Sequence, residues 1–501
     1  MTINTCKSTL LFLILFTLVS CNSIPTDYSK LEKTPAIYPD YTAITIPSNI
    51  APLNFCIEEP GTKYCITFSS SKSKGFTILQ KSNKVIIPQS KWERLLAENI
   101  GNKILIDIYV YNNQWFKYQT IENTIAPEKI ESHLCYRLIN SVNILWREMG
   151  IYQRNLENYD EKPIFLNRST DLGCVNCHHF NKANPKEMTL HFRKYKVGTI
   201  ITTKDSIIRL DTKTQYTMSP FAYPAWHPDG KHVAYVVNRV RQIFTSTKSY
   251  HDVVFDEASD IVIYDIEKNT VTTSPLLSSK NRENMPAFSP DGKYLFYISA
   301  APKTSDSSEI YSKYDLLMAP YDANTNTIGQ VDTILKSKEI DKSISYPRIS
   351  PDGRYLLLTM CRYSYFPIFD KYADLYIFDL KSKKLSPLEC NSPYTDSYHT
   401  WSQTGRWIVF SSKRMDDAFT RPFIAYFDAS GHAHKAFVIP QKNPAFYKTY
   451  LKNYNLPEFI NGEVNISDIQ LRDLVQTNPK KVKFDEKIDI DGLSGASYIK
   501  K

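Results

Sequence analysis

Tyr346-Pro-Arg-Ile-Ser-Pro-Asp-Gly-Arg-Tyr-Leu-Leu-Leu358 decides the fold, because the chain repeats it in recognisable form four times. Its counterparts are Tyr223-Pro-Ala-Trp-His-Pro-Asp-Gly-Lys-His-Val-Ala-Tyr235, Met285-Pro-Ala-Phe-Ser-Pro-Asp-Gly-Lys-Tyr-Leu-Phe-Tyr297 and Tyr398-His-Thr-Trp-Ser-Gln-Thr-Gly-Arg-Trp-Ile-Val-Phe410. Gly230, Gly292, Gly353 and Gly405 are spaced 62, 61 and 52 residues apart. In each copy Trp226, Phe288, Ile349 or Trp401 ends one buried strand. Pro-Asp-Gly then makes a tight turn, Pro fixing φ and Gly taking φ > 0, and a second strand follows with alternating apolar residues. A further strand signature follows each copy, at Asp260–Asp265, Asp315–Pro320, Asp374–Asp379 and Phe423–Asp428. Lys204–Asp211 has the same character with no upstream partner and reads as half of a first blade. Self-similar units of about four strands stack radially, each burying its neighbour's face, so a β-propeller of five or six blades is expected. The last copy replaces Pro-Asp by Gln403-Thr404, which leaves that blade's turn open.

Just upstream of the repeats stands Asp171-Leu-Gly-Cys174-Val-Asn-Cys177-His178-His179. It contains Cys-x-x-Cys-His, the attachment signature of a c-type haem. Two thiols at that spacing reach the two vinyl groups of a porphyrin, and the next imidazole is an axial ligand. A chance match at this composition is expected roughly 0.003 times. The competing readings are a surface disulfide, a redox-active thiol pair, or half of a zinc site, for which no second Cys-x-x-Cys or close Cys/His pair exists. With His178 proximal, His191 in Met188-Thr-Leu-His-Phe-Arg193 is the expected sixth ligand, 13 residues on. Met188 is the thioether alternative, and His227 and Met218 are further options. His227 holds the turn position occupied by Ser in the next three copies and is expected to be exposed. Adjacent His179 is expected to face solvent. Arg193 and Arg154 are candidates to pair with haem propionates.

Residues 1–20 read as a targeting segment: Lys7 supplies a positive charge and Leu10–Val19 is an apolar run broken only by Thr17. Ten residues are too short for a permanent span and suit a signal-peptide core. The run ends in Leu18-Val19-Ser20-Cys21, which resembles the bacterial lipobox; the resemblance implies lipidation of Cys21. The alternatives are an uncleaved anchor or an ordinary signal with an incidental Cys. Residues 21–43 read as a linker, Ser/Thr/Pro/Tyr-rich and without periodicity. Asn22, Ser23 and Ile24 form no acidic run, so an outer-membrane anchor facing the periplasm is expected.

Residues 44–127 alternate short strands with turns, as in Lys63–Phe68, Lys84–Ile87 and Ile104–Tyr111, and suggest a small β-sandwich. Residues 128–194 read as a helical segment carrying the haem motif, because Ile130, Leu134, Leu138, Val142, Leu145 and Met149 recur at steps of four, four, four, three and four. Residues 195–501 are then the propeller with a C-terminal extension. Cys56 and Cys65 flank the turn signal Glu58–Gly61 and could pair across a hairpin; Cys361 with Cys390 is a second candidate, and Cys135 reads as a buried thiol on a helix.

The 501 residues carry 34 Tyr and 25 Phe against 15 Gly, which favours half-buried pleated surfaces over helix bundles. The net charge of +9 is spread along the chain with no basic stripe interleaved with aromatics, so nucleic-acid binding is not expected. The Ser-Pro-Asp-Gly-Lys segments resemble the TolB-type, WD-like propeller repeat over about residues 195–440. The whole arrangement resembles a group of bacterial lipoproteins in which a TolB-like propeller follows a Cys-x-x-Cys-His segment. The matching stretches are Tyr136–Ile139, Met149–Arg154, Cys174–His178 and Met188–Arg193. The resemblance implies a haem-bearing propeller and no particular reaction.

About 70 residues follow Asp428, too few for an α/β-hydrolase, and Gly492-Leu-Ser-Gly-Ala does not place Ser as Gly-x-Ser-x-Gly requires. Two functions remain. One is an exported, membrane-anchored protein with one covalent haem c, an electron-transfer or redox protein that docks a protein partner on its propeller face. The other is a non-catalytic propeller lipoprotein that grips a protein, peptide or glycan, with the Cys-x-x-Cys-His structural; Tyr223, Met285, Tyr346 and Tyr398 could then line a binding face or simply pack at strand ends.

Overall fold

The computed structural model describes residues 24–140, 148–214, 217, 219–243, 253–302 and 311–493. The targeting segment, Cys21, Cys6 and Met218 lie outside the described residues. Among the described residues the fold is mainly β: a six-bladed propeller with a smaller β domain packed on it. No helix among the described residues is long and apolar enough to cross a membrane.

Blade 2 runs Cys174–Phe180, Met188–Arg193, Gly198–Thr202 and Ile207–Asp211 from the axis outward. Blade 3 begins at Ala222–Trp226, blade 4 at Arg282–Phe288, blade 5 at Ser343–Ile349 and blade 6 at Asp396–Trp401, each continuing through antiparallel neighbours. Blade 1 is a composite. Its three outer strands are His133–Ile139, Met149–Asn155 and Glu161–Leu166, and its inner strand is Asn453–Ile460 from the far end of the chain. The ring therefore closes by pairing its two ends. The half-blade read at Lys204–Asp211 finds its inner strands in the Cys-x-x-Cys-His segment itself.

The turn chemistry holds in every copy. Gly230, Gly292, Gly353 and Gly405 all take φ between 65° and 76°. Their N–H groups donate to the carbonyls of His227, Ser289, Ser350 and Ser402 at 2.8–3.0 Å. The Gln403-Thr404 copy keeps the turn because Thr404 Oγ1 meets Ser402 Oγ at 2.9 Å, where Asp291 meets Ser289 in blade 4.

Among the described residues the helix expected within residues 128–194 is not formed. His133–Ile139 and Met149–Asn155 are paired strands, and residues 141–147 are outside the described set. A step of four satisfies a period of two as well as one of 3.6, so the spacing could not separate the two. Both faces of the strand are buried, Leu134, Tyr136 and Leu138 in one core and Cys135 and Ile139 in another, which erases the polar alternation that marks a one-sided strand. Cys135 is a buried thiol, but on a strand.

The N-terminal domain holds a seven-stranded and a three-stranded sheet with one helix, Gln89–Glu98. It starts earlier than residue 44: Ser29–Lys30 and Ile37–Tyr38 are strands and Tyr41 is buried, so the far part of the expected linker is folded. Cys56 and Cys65 lie in different sheets, and they, like Cys361 and Cys390, are free buried thiols rather than disulfides.

Candidate functional site

All six inner strands carry the same device. Each has a bulge where its register shifts against the next strand, with one non-glycine residue at positive φ: Cys177, Tyr223, Met285, Tyr346, Tyr398 and Leu456, at 46–54°. A left-handed side-chain residue costs about 1–3 kcal/mol and often marks a functional site. Here its sixfold recurrence makes it architecture, re-aiming one side chain per blade at the axis. Sequence carries the signal: Asn176-Cys-His-His-Phe180, Asn284-Met-Pro-Ala-Phe288 and Asn455-Leu-Pro-Glu-Phe459 are the same segment. The Cys-x-x-Cys-His motif is thus an inner-strand bulge whose proline has become His178.

The bulge has a chemical consequence. On a regular strand, residues three apart face opposite sides. The shift at Cys177 turns both thiols of the motif into one cavity, while Val175 stays in the core behind. That cavity encloses about 1160 Å³ of empty space including its open mouth. His191 and Arg193 enter it from the adjacent strand, His191 directly opposite Asn176. Arg137 and Met149 enter from blade 1, Tyr223 from blade 3, and Phe366 and Phe369 from a loop of blade 5. Three cationic side chains, Arg137, Arg193 and Lys413, line it, and no carboxylate among its described lining residues balances them. Such a cavity suits a large, flat, mostly apolar ligand that carries negative groups.

Burial dominates the electrostatics. It pushes the thiol of Cys177 up to about 11 and raises that of Cys174, against Arg137 and Arg193, which favour the thiolates. Redox-active thiol pairs need the reverse. Burial, then Arg137, pushes His178 down to about 3; burial, then Arg193 and Arg137, holds His191 well below the usual imidazole range. Neither ring nitrogen of His178 or His191 has a hydrogen-bond partner, and Asn176 Oδ1 beside them has none. Buried polar atoms without partners cost about 1–3 kcal/mol each, so the bare imidazole of His191 is a candidate ligand, and the His178 ring, beside the Leu456 backbone, is a second.

The structure brings Cys174, Cys177, His191 and Arg193 to one cavity. His178 lines the narrower axial pocket that shares Cys177 and Tyr223 with it. Met188 points the other way, fully buried in the core with Leu190 and Phe192, which removes it from the cavity. Arg154 is elsewhere, donating to Gln441 Oε1 at 2.8 Å and to the Pro440 carbonyl. His179 lines the axial pocket and its Nδ1 is buried rather than solvated. His227 is also buried, at 5 % exposure. Arg137 and Met149 lie in stretches that the sequence already set beside the motif, though not as named site residues; the Phe366–Phe369 loop was not legible. Met149 sits close, its Sδ accepting the Val175 N–H at 3.2 Å. Their segments meet the motif only because blade 1 closes beside blade 2.

No family model matches the sequence, and no curated protein matches it. Solved structures do. A Mycobacterium tuberculosis puromycin-hydrolyzing peptidase aligns over 60 % of this chain and 44 % of its own, at 11 % identity and a TM-score of 0.36. A puromycin hydrolase aligns over 63 % and 54 %, at 13 % identity and 0.37. The chain therefore spans about half the length of these two enzymes. The β-propeller domain of Cps50 (Swd1) from Myceliophteria thermophila aligns over 73 % and 96 %, at 10 % identity and 0.32. The chain is a β-propeller protein.

Proposed function

We propose that this propeller is an exported, lipid-anchored redox protein that carries one covalent c-type haem in the cavity lined by Cys174 and Cys177. One observation carries the reading: the inner-strand bulge turns Cys174 and Cys177 into the same cavity as the unpartnered His191, with Arg137 and Arg193 beside them. The donor set would fit the group: Cys174 and Cys177 could form thioether bonds, His191, and His178 from the adjoining axial pocket, could offer ring nitrogens, and Arg137 and Arg193 could pair with propionates. When bound, such a haem supplies a reversible one-electron couple. The residues of the chain do the rest. Cys174 and Cys177 hold by covalent bonds, His178 and His191 offer neutral nitrogens, and Arg137 and Arg193 neutralise carboxylates. Phe366 and Phe369 keep water from the cavity, which tunes a redox centre through its local dielectric. A protein electron partner would dock on the propeller face. Cys21 would fix the assembly to the outer membrane on its periplasmic side.

The test is the denatured-gel haem stain and absorption spectrum of the exported protein made with a working cytochrome c maturation pathway. A stained band is expected at the full size, lost in C174A/C177A. His191→Ala is expected to change the axial-ligand spectrum, whereas Met188→Leu leaves it unaltered. An unstained wild-type band sinks the redox reading. The binding-platform reading then takes its place, tested by recovery of a specific partner with C174A/C177A.

A further inference from the structure

The first turn of blade 3 departs from its sister turns at two positions. Where blades 4, 5 and 6 have Ser289, Ser350 and Ser402, blade 3 has His227; where they have Tyr294, Tyr355 and Trp407, it has His232. In blades 4 and 5 the Ser hydroxyl donates to the turn Asp. In blade 3 two buried imidazoles face that Asp instead: His227 Nδ1 is 3.0 Å from Asp229 Oδ1, and His232 Nδ1 is 2.7 Å from Asp229 Oδ2. One ligand atom from each residue lies within 4.8 Å of the others.

Counting donors and acceptors shows how crowded with acceptors these two rings are when neutral. A neutral imidazole has one N–H and one lone pair. His227 Nε2 lies 3.0 Å from the Gly292 carbonyl, which can only accept, so the N–H is spent there. Its Nδ1 lone pair already receives the Asp229 N–H at 3.3 Å and also faces the Asp229 carboxylate, acceptor against acceptor. His232 differs: its Nδ1 lies 2.7 Å from Asp229 Oδ2, and its Nε2 faces Asp265 Oδ2 at 3.7 Å, beyond hydrogen-bond distance. That Nε2 is buried with no hydrogen bond. A cation shared by His227 Nδ1, His232 Nδ1 and Asp229 would relieve the crowding at His227 and leave His232 Nε2 free to carry its N–H towards Asp265. The packing keeps the rings there. Phe288 and Tyr321 stack edge-on against His227, and a Cβ on Gly292 would come within 2.4 Å of His227 Nε2, so the glycine is what admits the ring.

We infer that His227, Asp229 and His232 form a second site, distinct from the thiol cavity, that binds one divalent first-row transition ion such as Zn²⁺. Two imidazole nitrogens and one carboxylate are a borderline-soft donor set that suits zinc and its neighbours rather than calcium or magnesium. Zinc bonds of about 2.0–2.2 Å put tetrahedral ligand atoms roughly 3.3 Å apart; the two imidazole–carboxylate spacings are 3.0 and 2.7 Å, and the three ligand atoms lie within 4.8 Å of one another. Three protein ligands leave the fourth position to water, on the side where Asp229 is partly exposed. Asp265 then holds the outer nitrogen of His232 in place, itself anchored by Lys268 Nζ at 2.7 Å.

The test is zinc content by mass spectrometry after equilibrium dialysis of the full, tag-free protein against Zn²⁺, beside H227S/H232Y, which restores the residues of the sister turns. Wild type is expected to hold one zinc more than the variant and to gain thermal stability in zinc, as the variant does not. Because a difference is read, zinc at other histidines or thiols does not enter. Equal zinc in both proteins, each with native circular dichroism, overturns the inference and leaves a hydrogen-bonded clasp. Should the double variant misfold, Asp229→Asn is the substitute, with the same loss of one equivalent expected.

Discussion

Asp256 lies behind the cavity, where a carboxyl group is least at home. Its side chain accepts from Tyr365 Oη at 2.9 Å, from Asn238 Nδ2 at 3.0 Å and from Asn284, and Asn238 in turn accepts from Arg193 at 3.0 Å. Complete burial pushes the Asp256 carboxyl up to about 7, with the Tyr365 hydrogen bond and Arg193 opposing. The folded chain therefore keeps a proton there that the unfolded chain releases near 3.8. Between those values the unfolded state binds fewer protons, so this group's contribution is intact below about pH 4 and declines as pH rises towards 7. The loss is about 1.4 kcal/mol per pH unit. Asp256→Asn stays neutral throughout, so its stability relative to wild type is expected to improve from pH 5 to pH 7. Urea midpoints for both proteins across that range check this, and parallel curves would contradict it.

One strand has more influence than its eight residues suggest. Asn453–Ile460 supplies the inner strand of blade 1, pairs with His133–Ile139 and carries the sixth axial bulge at Leu456. Without it Arg137 and Met149 lose the neighbour that holds them over the thiols, and the ring is open. Beyond it the helix Asp468–Gln476, capped by Ser467 and Gln470, buries Leu471 and Val475, and two short pairs extend the edges of blades 2 and 3. Truncation after Thr449 is expected to abolish folding. Truncation after Gly462 is expected to leave a folded ring whose thermal midpoint is lower by roughly 5–10 °C, the loss of a few buried side chains. Circular dichroism melts of the two truncations separate the outcomes.

The molecule as a whole is held by a core that ignores the boundary between its parts. Ile46, Trp92 and Ile125 of the N-terminal domain belong to one buried cluster with Trp407, Ile424 and Phe437 of blade 6. Polar contacts ride over it: Thr45 Oγ1 meets His434 Nδ1 at 2.9 Å, and Trp407 Nε1 donates to the Glu128 carbonyl at 3.1 Å. A large apolar interface couples two units into one cooperative block. Calorimetry is expected to show a single unfolding transition, and two resolved endotherms would show that the domains melt apart.

Sequence alone determined the propeller, because Pro-Asp-Gly in three copies, and a glycine at the same place in the fourth, forces a turn whatever surrounds it, between strands with large apolar residues. It also singled out Cys174, Cys177 and His191 by their spacing, and tertiary structure places the three at one cavity. Sequence could not separate strand from helix at His133–Ile139, whose spacing by four fits both periods and whose two buried faces hide the alternation. Only tertiary structure decided that the Cys-x-x-Cys-His segment is itself an inner strand, that Arg137 and Met149 overhang it, and that His227 is buried against Gly292 of the next blade. Each of these depends on ring closure, which joins residues some 300 positions apart, as at Leu138 and Tyr454, by a geometry no local pattern encodes.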